Sequence, residues 1–201
     1  MKIICNFIDP NYPLELRCLG YTYEIIVEEK KFYYIFEVNQ SEAVVKTDNE
    51  EYLEIVVDAF HQRHKPISTY YTLDRHFYKS YDEVQTFLLP ISILQVSKPF
   101  LDESIIDELK EIEITNYHFP VTIVQDEYVL LKGHHILKAC QEAGTKMVSV
   151  YLDEVTPLLL DRLYLLKEQN VKYINEIPLL KSEEYEQVWS GLKEMFKTYM
   201  N

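Results

Sequence analysis

Three consecutive residues carry the strongest chemical signal in this chain. Gly133, His134 and His135 stand between an apolar, β-like run at 128–131 and a helix-patterned run that Gly144 closes. A glycine at such a junction lets the backbone approach a ligand closely. The first N–H groups of the following helix have no intrahelical partner and lie at the positive end of its dipole, so they suit an anion. A neutral imidazole there can hydrogen-bond a phosphate or move a proton. Adjacent helical residues point about 100° apart, so only one of the two histidines is expected to face a shared pocket. Lys132 and Lys138 flank the junction and Lys98 lies upstream; an ammonium group binds phosphate as a point charge. The candidate ligand-binding set is therefore Lys98, Lys132, Gly133, His134, His135 and Lys138. The same residues also fit an ordinary strand-to-helix turn with locally packed histidines and solvated lysines. No catalytic residue is assigned.

Other chemically capable groups read as structural. His61 and His64 have the i, i+3 spacing of a shared metal ligand pair, but no third His or Cys lies near them in sequence, and Arg63 and Lys65 add positive charge. No metal site is expected. Asp102, Glu103 and Ser104 stand where a helix begins, and first-turn carboxylates usually serve its dipole. Cys5, Cys18 and Cys140 are scattered without metal-like spacing and fit a reducing compartment. There is no Walker loop, dinucleotide fingerprint or Ser-His-Asp pattern.

The elements that must position these groups follow from periodicity. Residues 2–8, 21–27, 31–38 and 43–47 read as strands, with the polar turn 28–30 making a hairpin of the second and third. Leu53, Val56, Val57 and Phe60 repeat at helical spacing, giving a helix that ends before Pro66. Residues 66–87 show no period and are expected to cross the surface as a connector. Strand 91–96, helix 102–112, strands 119–124 and 128–131, a helix from 134 to 143 and strand 147–152 follow. Thr156 and Pro157 suit an N-cap and first turn for a helix to about 169. A short strand is expected within 171–177, then a last helix from 182 to about 199. Tyr185, Val188, Trp189, Leu192, Met195 and Phe196 line one face of that helix, as a docking face would.

The order and motifs between Leu89 and Asp153 resemble the ParB/sulfiredoxin-like domain. The matching pieces are Pro120-Val121-Thr122-Ile123-Val124, Gly133-His134-His135-Ile136-Leu137-Lys138-Ala139, Gly144 and Val148-Ser149-Val150, covering about a third of the chain. His135 matches the histidine of that family's glycine-histidine-arginine signature, and Lys98 falls near a basic family position. The resemblance implies an α+β fold with a mixed sheet and helices, occupying residues 87–154. A β-rich region with one helix would precede it at 1–86, and a helical extension packed on it would follow at 155–201. It also implies a nucleotide such as ATP, ADP or CTP as ligand.

The departures from the family pattern concern the phosphate chemistry. Ile136 stands where the signature has arginine, which alone offers a planar fork of donors to phosphate oxygens. Members that phosphorylate free serine have an aspartate where this chain has Lys132, and a catalytic acid just before the first helix. The corresponding stretch here, Ser97-Lys98-Pro99-Phe100, holds no carboxylate. The reading that results is a degenerate binding or regulatory module with residual nucleotide or anion binding, and with a protein partner as a further expectation. An active nucleotide-dependent phosphotransferase on a small hydroxylated substrate is the alternative, and a DNA-associated segregation-type protein is the second alternative.

Charge bears on the last of these. The net charge is −13, and residues 87–154 hold five lysines, eleven acids and no arginine. A DNA binder needs a basic footprint to displace counterions, so DNA is not an expected partner. No apolar run approaches the roughly 18 residues of a membrane span, and the N-terminus lacks a signal-peptide pattern. The chain is expected in the cytoplasm, with no membrane association.

Overall fold

The computed structural model describes residues 1–5, 11–155 and 159–198, with the side chains of the last helix described through Leu192. The fold is mixed α+β and divides into two units. The first comprises Met1–Thr86 and Ile112–His118, the second Phe87–Glu111 and Phe119–Asn201.

The first unit is built on a six-stranded sheet of sequential order: β1 (Lys2–Cys5), β2 (Thr22–Val27), β3 (Lys30–Asn39), β4 (Glu42–Lys46), β5 (Thr69–Tyr71) and β6 (Phe77–Ser80). A short helix α1 (Leu14–Cys18) lies between the first two strands. β2 and β3 pair with Val27 opposite Lys30, leaving Glu28 and Glu29 as a two-residue turn at φ 48° and 67°. Two left-handed residues in that position match the right-handed twist of the strands. β4 and β5 are parallel, which requires a crossover, and helix α2 (Leu53–His61) supplies it. Its buried residues Leu53, Val56, Val57 and Phe60 are the ones whose spacing predicts the helix. Phe60 stacks on Phe36 of β3 with centroids 3.8 Å apart, and Tyr23 and Tyr70 meet it edge-on. Each such buried aromatic contributes about 1.5–3 kcal/mol relative to exposure.

The segment 66–87 is not a plain connector. It forms β5 and β6, joined through a turn in which Arg75 has φ 59°. The strands are only three and four residues long and the turn between them is charged, which hides their alternation. The expected first strand reaches beyond the described residues at 6–8.

In the second unit a four-stranded sheet has the order β10 (Glu127–Leu130), β9 (Phe119–Val124), β11 (Met147–Leu152), β7 (Phe87–Pro90). Only the β9–β11 pair is parallel. Helix α3 (Glu103–Lys110) precedes β9, and α4 (His134–Glu142) crosses from β10 to β11. A separate parallel pair joins β8 (Leu101–Asp102) to β12 (Leu179–Leu180). Helices α5 (Leu159–Glu168) and α6 (Ser182–Thr198) complete the chain.

Two elements differ from expectation. The strand predicted over 91–96 begins and ends earlier as β7, because the chain enters a 3-10 turn at Ile91–Ile93 after Pro90. Gln95 alone then bridges to Val129 and Tyr173. The strand predicted within 171–177 is a 3-10 turn at Ile174–Glu176, with β12 beyond it. The Glu176 carboxylate accepts the N–H groups of Lys172 and Tyr173, which favours a turn over a ladder. Thr156 and Pro157 lie outside the described residues, as do the side chains of Met195 and Phe196. No described helix is long and apolar enough to cross a membrane.

Candidate functional site

Three strand-to-helix junctions of the second unit, β10–α4, β8–α3 and β12–α6, bear on the sequence-predicted residues. After β10 the chain passes Lys132 and reaches Gly133 at φ 83°, a left-handed conformation that glycine adopts without strain. α4 starts at the next residue. Its N-cap, a glycine, has no side chain to offer, and no side-chain cap bond is made there among the described residues. Ile136 is buried in the core.

At the second junction, Asp102 ends β8 and is the N-cap of α3. Its Oδ1 accepts the Ser104 N–H at 2.9 Å and the Ser104 hydroxyl at 2.8 Å. The helix begins one residue later than the spacing predicts, so a carboxylate does stand immediately before it, although Ser97–Phe100 has none. The third junction lies alongside, because β12 runs parallel to β8. Ser182, the first residue of α6, donates its hydroxyl to the same Asp102 Oδ1 at 3.0 Å and lies 2.7 Å from the Ser104 hydroxyl.

The two histidines are turned inward and tie these junctions together. His134 Nε2 accepts the backbone N–H of Ser97 at 3.0 Å, while the Ser97 hydroxyl donates to the Leu130 carbonyl at 2.6 Å. His135 Nε2 accepts the backbone N–H of Asp102 at 3.0 Å. With Nε2 an acceptor in both rings, the proton sits on Nδ1 and each ring is neutral. Burial is the main force holding both neutral, and the nearby Lys98 ammonium adds to it. His134 lies well below the ordinary histidine range, and His135 is pushed down to about 3, Asp102 opposing the shift.

The lysines separate. Lys98 is drawn to the histidines, and its Nζ donates to the Tyr185 hydroxyl of α6 at 2.6 Å. The same ammonium lies 5.0 Å from the Tyr185 ring centroid and 4.9 Å from that of Trp189. Lys138 sits one turn into α4 and pairs with Glu142 at 3.4 Å, a carboxylate that Lys110 also meets at 2.7 Å. Lys132 is exposed at the turn. The geometry therefore gathers Lys98, Gly133, His134 and His135, and commits Lys138 to the flank of its own helix.

Sequence reasoning missed Ser97 and Arg162 of α5 as participants, and read Tyr185 and Trp189 only as part of a docking face, not as partners of Lys98. Arg162 is near enough to His134 to oppose its protonation. With Ser97, Pro99, Leu165 and Trp189 it lines a cavity of about 10 Å³. That is room for about one water-sized sphere and too little for a phosphate. His61 and His64 serve the first unit's aromatic core instead. His61 donates Nδ1–H to the Ile67 carbonyl at 3.0 Å and stacks on Tyr81, and His64 packs against Phe60 and Tyr21. Among the described residues, no group of three or more His, Cys, Asp or Glu is arranged to hold a metal.

No family model matches the chain, and no curated protein matches it. Solved structures similar to part of it include the following two. Protein Atu1540 from Agrobacterium tumefaciens aligns at 13% identity and a TM-score of 0.36, over 48% of this chain and 63% of that one. The C-terminally truncated chromosome-partitioning protein ParB from Caulobacter crescentus, complexed with CTP-gamma-S, aligns at 21% identity and a TM-score of 0.33, over 43% of this chain and 53% of that one. The chain thus spans less than two thirds of either protein, and the α+β assignment rests on the elements described above.

Proposed function

We propose that the second unit is a binding or regulatory module for a small phosphate-type anion, a nucleotide such as ATP, ADP or CTP among the candidates, and not a phosphotransferase. The anion would lie over the N–H groups of His134 and His135, with Lys98 supplying the nearest cation and Lys132 at the rim. One observation carries the reading. Both imidazoles accept a backbone N–H through Nε2, at 3.0 Å each, and so hold the 97–102 segment against the start of α4. A ring committed in this way, and held neutral by burial, cannot take a substrate proton without breaking the contact that positions it. What remains at the junction is donor geometry: an uncapped helix N-terminus, a left-handed glycine and an ammonium group.

The phosphotransferase reading keeps one specific observation. Asp102 is a buried carboxylate immediately before α3, with two serine hydroxyls on its Oδ1. Its Oδ1 caps α3 and accepts the Ser182 hydroxyl at the start of α6, which favours a structural role. The test is a thermal-shift panel with ATP, ADP, CTP and inorganic phosphate, followed by a turnover assay on whatever binds. A ligand at 100 times its Kd stabilises by about 2.7 kcal/mol. Stabilisation without turnover is expected. Nucleotide hydrolysis or transfer that disappears in Asp102→Asn would establish the enzyme reading instead.

A further inference from the structure

The last helix does more than pack on the second unit. Its Tyr185 oxygen sits 2.6 Å from Lys98 Nζ, the position an oxygen of a bound anion would take on that cation. Its Tyr185 ring meets His135 edge-on with centroids 5.9 Å apart, and Tyr185 and Trp189 both pack against Phe100. At its start, Ser182 shares Asp102 with Ser104. The helix is thus latched at one end by a hydroxyl on a carboxylate and further along by a phenol and an indole on an ammonium.

We propose that α6 is an autoinhibitory strap, with the Tyr185 hydroxyl occupying Lys98 in place of the ligand's oxygen. The inference rests on the anion-binding reading above and adds its regulation: ligand and strap compete for one cation. Three features support competition. First, Tyr185 is a neutral occupant, because burial, Asp102 and Glu186 push its phenol up to about 12. A phosphate oxygen is charged, and an ion pair with Lys98 is stronger than a bond to a neutral phenol. Second, the latch at Asp102 is one part-buried bond from the hydroxyl of Ser182, an exposed residue, which water can reach and replace. Third, from Glu186 to Leu192 the described side chains of α6 are exposed or half-buried, so along that stretch little apolar burial holds the helix down. The strap is therefore displaceable without unfolding the sheet beneath it.

The experiment uses the full chain and pyrophosphate as probe, with CTP in parallel. Trp189 is the only tryptophan, so its emission reports the strap directly. Saturating pyrophosphate should shift Trp189 emission to the red in the wild-type chain. By titration calorimetry, Tyr185→Phe, which removes only the oxygen, should bind several-fold more tightly, and Ser182→Ala with Tyr185→Phe about tenfold more tightly. Circular dichroism melting shows whether each variant folds. Because Tyr185→Phe changes a single atom, it remains informative if the double variant does not fold. If the wild-type chain binds but Tyr185→Phe binds equally or more weakly, and Trp189 emission stays fixed, the strap is refuted and the anion site stands. Absence of binding in every form would overturn the anion reading, and the strap as its gate. Binding that Lys98→Gln leaves unchanged would place the anion elsewhere and overturn the competition.

Discussion

The two units bury histidines to opposite ends. In the first, His61 is a donor: its Nδ1–H reaches the Ile67 carbonyl, which also accepts the Tyr70 hydroxyl at 2.7 Å. In the second, His134 and His135 are acceptors, each taking a backbone N–H that begins or precedes an element. A carbonyl with two donors keeps a partner when one is removed. A buried N–H has one hydrogen to give and loses everything. The polar groups of the first unit therefore decorate an aromatic core, while those of the second hold its junctions in register.

Removing one histidine from each unit separates these roles most sharply. His134→Ala opens a cavity and strands the Ser97 N–H, and should destabilise the second unit by about 3 kcal/mol. His61→Ala loses a stacked ring but leaves Ile67 satisfied by Tyr70, and should cost about 1–2 kcal/mol in the first. Amide exchange on β9 and β11 reads the second unit, and amide exchange on β3 and β4 reads the first. Equal losses would mean that the donor and acceptor roles carry no different weight.

Acid should then divide the histidines by degree. For His135 the native pKa, about 3, lies below the unfolded value near 6.5. Between those values the unfolded chain binds the extra proton, so stability is complete above about pH 6.5 and falls as pH drops toward 3. Each histidine that protonates only on unfolding lowers stability by about 1.4 kcal/mol per pH unit. His134 shifts in the same direction and adds to the slope; His61 is lowered chiefly by burial, opposed by its bond to the Ile67 carbonyl and then by Asp58. The urea midpoint read by far-ultraviolet circular dichroism should fall steadily from pH 7 to 4. In His135→Gln, whose amide oxygen can still accept the Asp102 N–H, the slope should lessen by about one proton. A slope unchanged in that variant would show that His135 does not titrate between the two states.

How much of this the sequence disclosed depends on distance along the chain. The β9–β10 hairpin, the Gly133 junction and α4 are local, and their period and punctuation survive in the residues themselves. The β5 and β6 strands were obscured because three or four residues around a charged turn display no period. Nothing local marks Ser97 as the partner of His134, or Tyr185 as the partner of Lys98 across 87 residues of chain. The first exists only once the chain before β8 lies against the start of α4, and the second only once β12 has laid α6 beside β8. The candidate cations were nameable from sequence, but which one the fold brings to the histidines was not. Lys98 and Lys138 look equivalent until Glu142 is seen to claim the latter.

The smallest effects expected lie in the hairpins, where the two units solve one problem alike. Glu28 and Glu29 in the first, and Gln125 and Asp126 in the second, form two-residue turns with both residues left-handed, at φ 48°, 67°, 51° and 64°. None is glycine, and only Asp126 is of a type that tolerates this region well. The strand twist demands the conformation and the sequence accepts its cost. Asn-Gly in either turn should therefore stabilise its own unit by about 1 kcal/mol. The gain should be somewhat larger at 28–29, where two adjacent like charges also disappear. Thermal melting of each variant, with amide exchange on β2 or β10 to assign the unit, gives the comparison. A gain at 125–126 but none at 28–29 would mean that the glutamate side chains make contacts that offset the backbone strain, and that the two turns are alike only in shape.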